Sequence, residues 1–168
     1  MKKLISVLII ITIAVFVLGI AALLILAKPQ TPVEPESISF QVYYYNPDLD
    51  KDRAGNIMCS AGGLVGVWRQ APAGSEPIAT AVSALLDFPP RAEELAAGLT
   101  SEYPLSGLEL VSLSLENSVL TIELVDPENR TSGGACRAGI LRAQLEATLS
   151  QFPEIESLNI EPEYLFQP

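Results

Sequence analysis

The stretch Gly133–Ile160, GGACRAGILRAQLEATLSQFPEIESLNI, reads as a turn, an amphipathic helix, a proline stop and a strand. Leu141, Leu145, Leu149 and Phe152 recur at helical spacing, and Ala138 and Ile140 widen that stripe. Ser132 stands where an N-cap is expected, and Gly133–Gly134 let the loop approach the helix start closely. Pro153 stops the run, and Ile155, Leu158 and Ile160 follow as a short buried strand. A helix and strand joined this tightly must cover a sheet, which the residues upstream have to supply.

Those residues carry the strand signals. In ISFQVYYY, Ile38, Phe40, Val42 and Tyr44 alternate with Ser39, Gln41, Tyr43 and Tyr45, the pattern of a half-buried strand. A polar loop, NPDLDKDRAGN, leads to a second strand, Leu64 to Gln70, which holds Trp68, the single tryptophan. Ser75-Glu76-Pro77 offers an N-cap and an early-turn proline to a helix whose apolar face is Ile78, Val82, Leu85 and Leu86. Pro89–Pro90 ends that helix, and Arg91 to Ala97 adds a helical turn or two, closed by Gly98. A two-residue turn at Asn117–Ser118 sets Leu115 opposite Leu120, Leu113 opposite Ile122 and Val111 opposite Leu124 on one face. Ser114–Thr121 and Ser112–Glu123 fall on the other face. The order ββαββαβ predicts an α/β (α+β) two-layer sandwich with helices on one face of a mixed sheet. This domain is expected over residues 38–161, with a C-terminal tail at 162–168.

The N-terminus suggests where the domain lives. Lys2 and Lys3 precede an uncharged apolar run, residues 4–27, which as a helix is ~36 Å long and spans a bilayer core. A cleaved signal peptide, with Gly19 and Ala21 as its small-residue site, is the competing reading, but the apolar run outlasts an ordinary h-region. The charge bias predicts residues 1–3 in the cytoplasm and a single-pass membrane anchor with the domain extracytoplasmic. Residues 28–37, KPQTPVEPES, then form a stiff proline-rich linker. All 20 acidic residues lie beyond the span, and the formal net charge is -10, which disfavours nucleic acid and anionic lipid as partners.

The chemistry on offer is narrow. With no histidine, Ser-His-Asp, Cys-His and histidine–metal sites are excluded together, and no cofactor is expected. Cys59 and Cys136 are the two cysteines; in an outward-facing domain they favour a disulfide over two buried thiols. Asp48, Asp50 and Asp52 alternate like the start of a calcium loop, but Arg53 and Cys59 occupy the positions where glycine and a bidentate glutamate belong. A solvated acidic loop is the plainer reading. Gly133–Gly134 before a helix could hold an anion, but a permissive turn is the plainer reading. Tyr43, Tyr44, Tyr45 and Trp68 could stack on sugars or fill a sheet's two faces. Asn129-Arg130-Thr131 fits a glycosylation acceptor pattern, which the resemblance described next, to a bacterial family, discounts.

In chain order, VYYYN, LVGVWRQ, PIATAVSALLDFP, GLTSEYPLSGLELVSLSLENSVLTIEL and QLEATLSQFPEIESLNI resemble the GerMN domain of spore-germination and sporulation proteins. The resemblance runs from about Ile38 to Ile160, and its last block is the most specific. It implies an extracytoplasmic, membrane-tethered, non-catalytic domain with a fold similar to the ring-building modules of sporulation and secretion assemblies. Many such proteins are lipoproteins or carry two domains in tandem; here one domain follows an apolar segment, so only the domain type carries over. The expected function is binding or assembly in the cell envelope through an exposed sheet edge or face. Other envelope proteins, peptidoglycan or a second copy of the chain are the expected partners. The rivals are a wall-glycan hydrolase using paired carboxylates and a calcium-dependent adhesion module built on Asp48, Asp50 and Asp52.

Overall fold

The computed structural model describes Phe16 and residues 37–167. The membrane span expected at residues 4–27 and the linker before Ser37 therefore fall, Phe16 apart, outside the described residues. Among the described residues no helix is long and apolar enough to cross a membrane.

Among the described residues from Ser37 onward, five strands and three α-helices follow one another as β1 (Ser37–Tyr45), β2 (Leu64–Pro72), α1 (Pro77–Asp87), α2 (Ala92–Ala96), β3 (Glu109–Glu116), β4 (Val119–Val125), α3 (Ala135–Leu149) and β5 (Ser157–Glu161). The α/β class holds, but the strands divide between two sheets where one mixed sheet was expected. β1 and β2 form an antiparallel pair, and β3-β4-β5 form a second sheet in which β4 and β5 run parallel. The reason lies at the far edge of β1. Helix α3 packs there, and its polar side chains take the hydrogen bonds a third strand would have made.

The apolar periodicities build a single core. Phe40, Val42 and Tyr44 of β1, Leu120, Ile122 and Leu124 of β4, Val82 and Leu85 of α1, and Leu141, Leu145 and Leu149 of α3 are all buried in it. At about 1.5–3 kcal/mol for each large apolar side chain removed from water, this cluster supplies the main driving force for the fold. Pro77 sits at the start of α1, where its missing N–H costs nothing. Helix α3 begins at Gly134 with φ 95°, a conformation reserved for glycine. Ser132, expected to cap that helix, instead donates its hydroxyl to the Asn129 carbonyl.

The hairpin keeps most of its expected register. Leu115 pairs with Leu120, Leu113 with Ile122, Ser114 with Thr121 and Ser112 with Glu123. Asn117 and Ser118 both have positive φ, 50° and 63°, as a two-residue turn matched to strand twist requires. Past Ser112 the register shifts, so that Leu110 rather than Val111 faces Leu124. Val111 is the residue of the bulge and stands 53% exposed. The chain beyond Glu161 is no loose tail: Leu165 and Phe166 are 1% and 5% exposed and close the core. Their spacing was too short to register as an element, but two adjacent large apolar groups next to a core gain more by docking than by staying in water.

Candidate functional site

Of the side chains singled out by the sequence, the fold joins the two cysteines and turns the three loop aspartates to different partners. Cys59 and Cys136 form a disulfide, with Cα atoms 5.2 Å apart, that pins the loop before β2 to the first turn of α3. In the acidic loop the three carboxylates turn to different partners. Asp48 pairs with Lys51 at 2.6 Å. Asp52 accepts from the Ala54 and Asn56 N–H groups, both at 2.8 Å, and from the Asn56 amide at 2.9 Å, closing a tight turn. Asp50 is buried and receives the Tyr45 hydroxyl at 2.6 Å, the Ser60 N–H at 2.6 Å and the Ser60 hydroxyl at 2.5 Å. Those donors, led by the Ser60 hydroxyl, hold the Asp50 carboxyl below its usual range. Burial and the Asp50 carboxylate together push the Tyr45 phenol up to about 12. Among the described residues no group of three or more His, Cys, Asp or Glu is placed to hold a metal ion.

The Gly133–Gly134 turn is covered by its own chain. Arg137 donates Nη1 to the carbonyls of Arg130, at 2.6 Å, and Ser132, and pairs through Nε with Glu102. An anion approaching this helix end would meet a guanidinium already engaged three times.

The aromatic quartet splits between the interior and the surface. Tyr44 and Tyr45 are buried, Tyr43 is half-buried, and Trp68 is 65% exposed. Tyr43 lies over Gly66, where an added Cβ would come within 3.0 Å of the ring, so the glycine makes room for the tyrosine. Trp68 faces Gln41 across the pair on the same outer face.

The two edges of the β1-β2 pair differ sharply. On the β1 side, Gln41 is bonded by the Gln151 amide, Tyr43 by Thr148 and Gln144, and Tyr45 by the backbone of Thr100. On the β2 side, the Leu64 N–H donates to the Ala61 carbonyl, but the outward peptide groups of Gly66, Trp68 and Gln70 have no backbone partner among the described residues. The inward residues Val65, Val67 and Ala71 are only partly buried, because α1 packs over β1 and α3 rather than over β2.

Between β2 and α1 this leaves a groove of about 510 Å³, lined by Phe40, Arg69, Ala84, Phe88, Pro89 and Arg91, among others. Arg69, one of its lining residues, is held by a bidentate ion pair. Arg69 donates to both carboxylate oxygens of Glu94 at 2.6 and 2.7 Å, and Glu94 also accepts the Arg91 N–H at 2.7 Å. The Arg69 bond, followed by the Arg91 N–H, holds the Glu94 carboxyl below its ordinary value against the opposing effect of burial. Arg69 also reaches the Tyr44 hydroxyl at 3.3 Å, with its guanidinium 5.6 Å from the ring centre.

Carboxylates do collect elsewhere. Glu123 and Glu161 are cross-strand partners on β4 and β5, and with Asp126, Glu163 and Tyr164 they line a shallow groove of about 530 Å³. Glu123, Glu161 and Glu163 are exposed. Asp126 is buried, and although burial opposes its ionisation, the Arg130 and Thr131 N–H groups at 2.8 and 2.7 Å more than offset that and hold it low.

Sequence reasoning missed the residues that seal β1. Gln144 and Thr148 are fully buried, and with Gln151 they recur at helical spacing beside the leucine stripe. That polar stripe bordering an apolar one was the available signal. The Arg69–Glu94 pair left no local trace, because its members come from different elements.

Comparison with known proteins adds the family. Residues 41–163 match the family described as "Germane: Sporulation and spore germination". Among solved structures the chain is similar to the tandem GerMN domains of the sporulation protein GerM from Bacillus subtilis. The identity is 14% and the TM-score 0.49, over 79% of this chain and 41% of that one. This chain thus spans well under half the length of that structure. No curated protein matches the chain. Since the family match covers residues 41–163 of 168, this protein belongs to the sporulation and spore-germination (Germane) family.

Proposed function

We propose that the protein is a non-catalytic contact module of the cell envelope, held at the membrane by its N-terminal segment with the folded domain outside the cytoplasm. The observation that carries this reading is the β2 side of the domain, an unpaired strand edge beside an apolar groove. Strand addition to such an edge gains main-chain hydrogen bonds while side chains enter the groove. The groups that could have done chemistry are engaged in holding the fold: the cysteines to each other, Asp50 to Tyr45 and Ser60, Glu94 to Arg69. The membrane placement is supported by the charge-flanked apolar run at residues 4–27. A reporter fused after Pro168 tests it: activity of an extracytoplasmic reporter is expected, and activity of a cytosolic one overturns the reading.

The hydrolase reading rests on the paired Glu123 and Glu161. Both stand in solvent, whereas a general acid acting near neutral pH is held in a desolvated, apolar place. Incubating the purified chain with cell-wall glycan decides between the two. No release of soluble fragments is expected; release abolished by Glu123→Gln or Glu161→Gln would establish the enzyme.

A further inference from the structure

We propose that the open edge of β2 pairs with β2 of a second copy of this chain, antiparallel across a twofold axis. The inference rests on the contact-module reading and names its partner. Four strand edges in the domain bear on it, and three are closed to a neighbour. The β1 edge is sealed by Gln144, Thr148, Gln151 and Thr100. The β3 edge is broken by the bulge at Val111 and carries Glu109 and Glu116 at its ends. The β5 edge is five residues long and flanked by Glu156 and Glu161. Proteins blunt unused edges with bulges, charges and short strands. β2 has none of these devices: nine residues, one charged side chain, and a proline only at its last position.

Charge then selects the occupant. Two copies of so acidic a chain repel at most faces, and pairing β3 or β5 with itself would set glutamates against glutamates. At β2 the one charged residue, Arg69, is already neutralised by Glu94 within the same chain, so two such edges meet without a like-charge contact. Which peptide groups are free also fixes the parity. The free outward groups are those of the even-numbered residues Gly66, Trp68 and Gln70, so they pair with even-numbered residues of the other copy. Partner residues Val65 and Val67 then lie on the inner side, over the groove formed by Ala84 and Phe88, the latter 63% exposed. Trp68 falls on the outer side, where pairing would cover it. Antiparallel running sets the Arg91 end of one β2 beside the loop carrying Asp48 and Asp52 of the other. Arg91 forms no ion pair among the described residues, so this contact is attractive. The Trp68 carbonyl accepts Arg69 Nη1 at 3.2 Å and keeps a second lone pair for the new ladder.

The test places a photo-crosslinking amino acid at Gln70 in the full chain, purified in mild detergent, with the same group at Ser114 on the second sheet as the control for shared micelles. Gln70 is expected to yield a homodimer whose crosslinked peptide joins residues 64–72 of both copies, with at least ten times the yield from Ser114. Trp68→Lys, a change at an exposed side chain, should reduce the Gln70 product at least tenfold while leaving the far-ultraviolet circular dichroism unchanged. Equal yields from both positions, indifference to Trp68→Lys, or capture of a different chain in place of the second copy overturns self-pairing. Those results leave the contact-module reading standing, which fails only on the glycan or topology experiments above.

Discussion

The side-chain amide of Gln151 makes to Gln41 both hydrogen bonds that a neighbouring strand would make. Its Oε1 accepts the Gln41 N–H at 2.7 Å, and its Nε2 donates to the Gln41 carbonyl at 2.7 Å. Thr148 and Gln144 repeat the device two residues along at Tyr43. A helix thus closes a sheet edge with side chains, which satisfies the buried backbone there and denies the edge to other chains.

Gln151→Leu is expected to lower stability by about 1–3 kcal/mol, the cost of leaving a half-buried N–H and carbonyl unpaired. Urea unfolding should show a lower midpoint with unchanged slope. A variant as stable as the parent would show that water replaces the amide without loss. The same variant should aggregate more readily, since it reopens an edge.

The Arg69–Glu94 pair joins β2 to α2 with side chains only 11% and 10% exposed. Removing one partner strands a desolvated charge, so Glu94→Ala should cost about 3 kcal/mol. Replacing both, as Arg69→Met with Glu94→Leu, should recover most of that loss, because neither charge then remains. A double variant no better than the single one would assign the cost to packing instead.

The pH profile of stability should be a plateau with a fall on each side. Hydrogen bonds hold Glu94, Asp50, Asp52 and Asp126 below their ordinary values, in Asp126 against a strong opposing burial effect. A carboxyl depressed in the folded state contributes its stability above the unfolded value, about 4, and loses it as pH drops through the folded value. Tyr45 works in the other direction. Its folded value is about 12, so its contribution holds below the unfolded value and disappears as pH rises toward 12. With no histidine in the chain, thermal unfolding should show no histidine step between the two arms. A midpoint that changes sharply between about pH 6 and 8 would contradict this assignment.

Reduction of the disulfide should leave a folded but weaker domain. Closing a loop between residues 77 positions apart is worth up to about 4.5 kcal/mol through the entropy of the unfolded chain. Cys59→Ser with Cys136→Ser should reproduce the effect of reductant, and mass mapping without reductant should recover a peptide joining the two positions.

Much of the local structure was legible because it depends on neighbours in sequence. The leucine stripe of α3 and the cross-strand pairs Leu113–Ile122 and Leu115–Leu120 follow from periods of 3.6 and 2, although the helix ends at Leu149, before the expected stop at Pro153. The bulge at Val111 was not legible, since Leu110 and Val111 are equally apolar and only the packing of β3 against the core chooses between them. The acidic loop suggested a cation site because spacing alone cannot show that Asp50 turns inward to Tyr45 while Asp48 turns outward to Lys51.

By itself the sequence determined the α/β class, most of the strands and helices between residues 38 and 161, the lack of histidine and the cysteine pair. Those are properties of composition and short-range pattern. Only the tertiary structure decided that the strands form two sheets, that Gln144, Thr148 and Gln151 seal β1, and that β2 stays open beside its groove. The reason is that a strand carries the same peptide donors and acceptors along both edges. Which edge meets water, a helix or another strand is settled by residues about a hundred positions away.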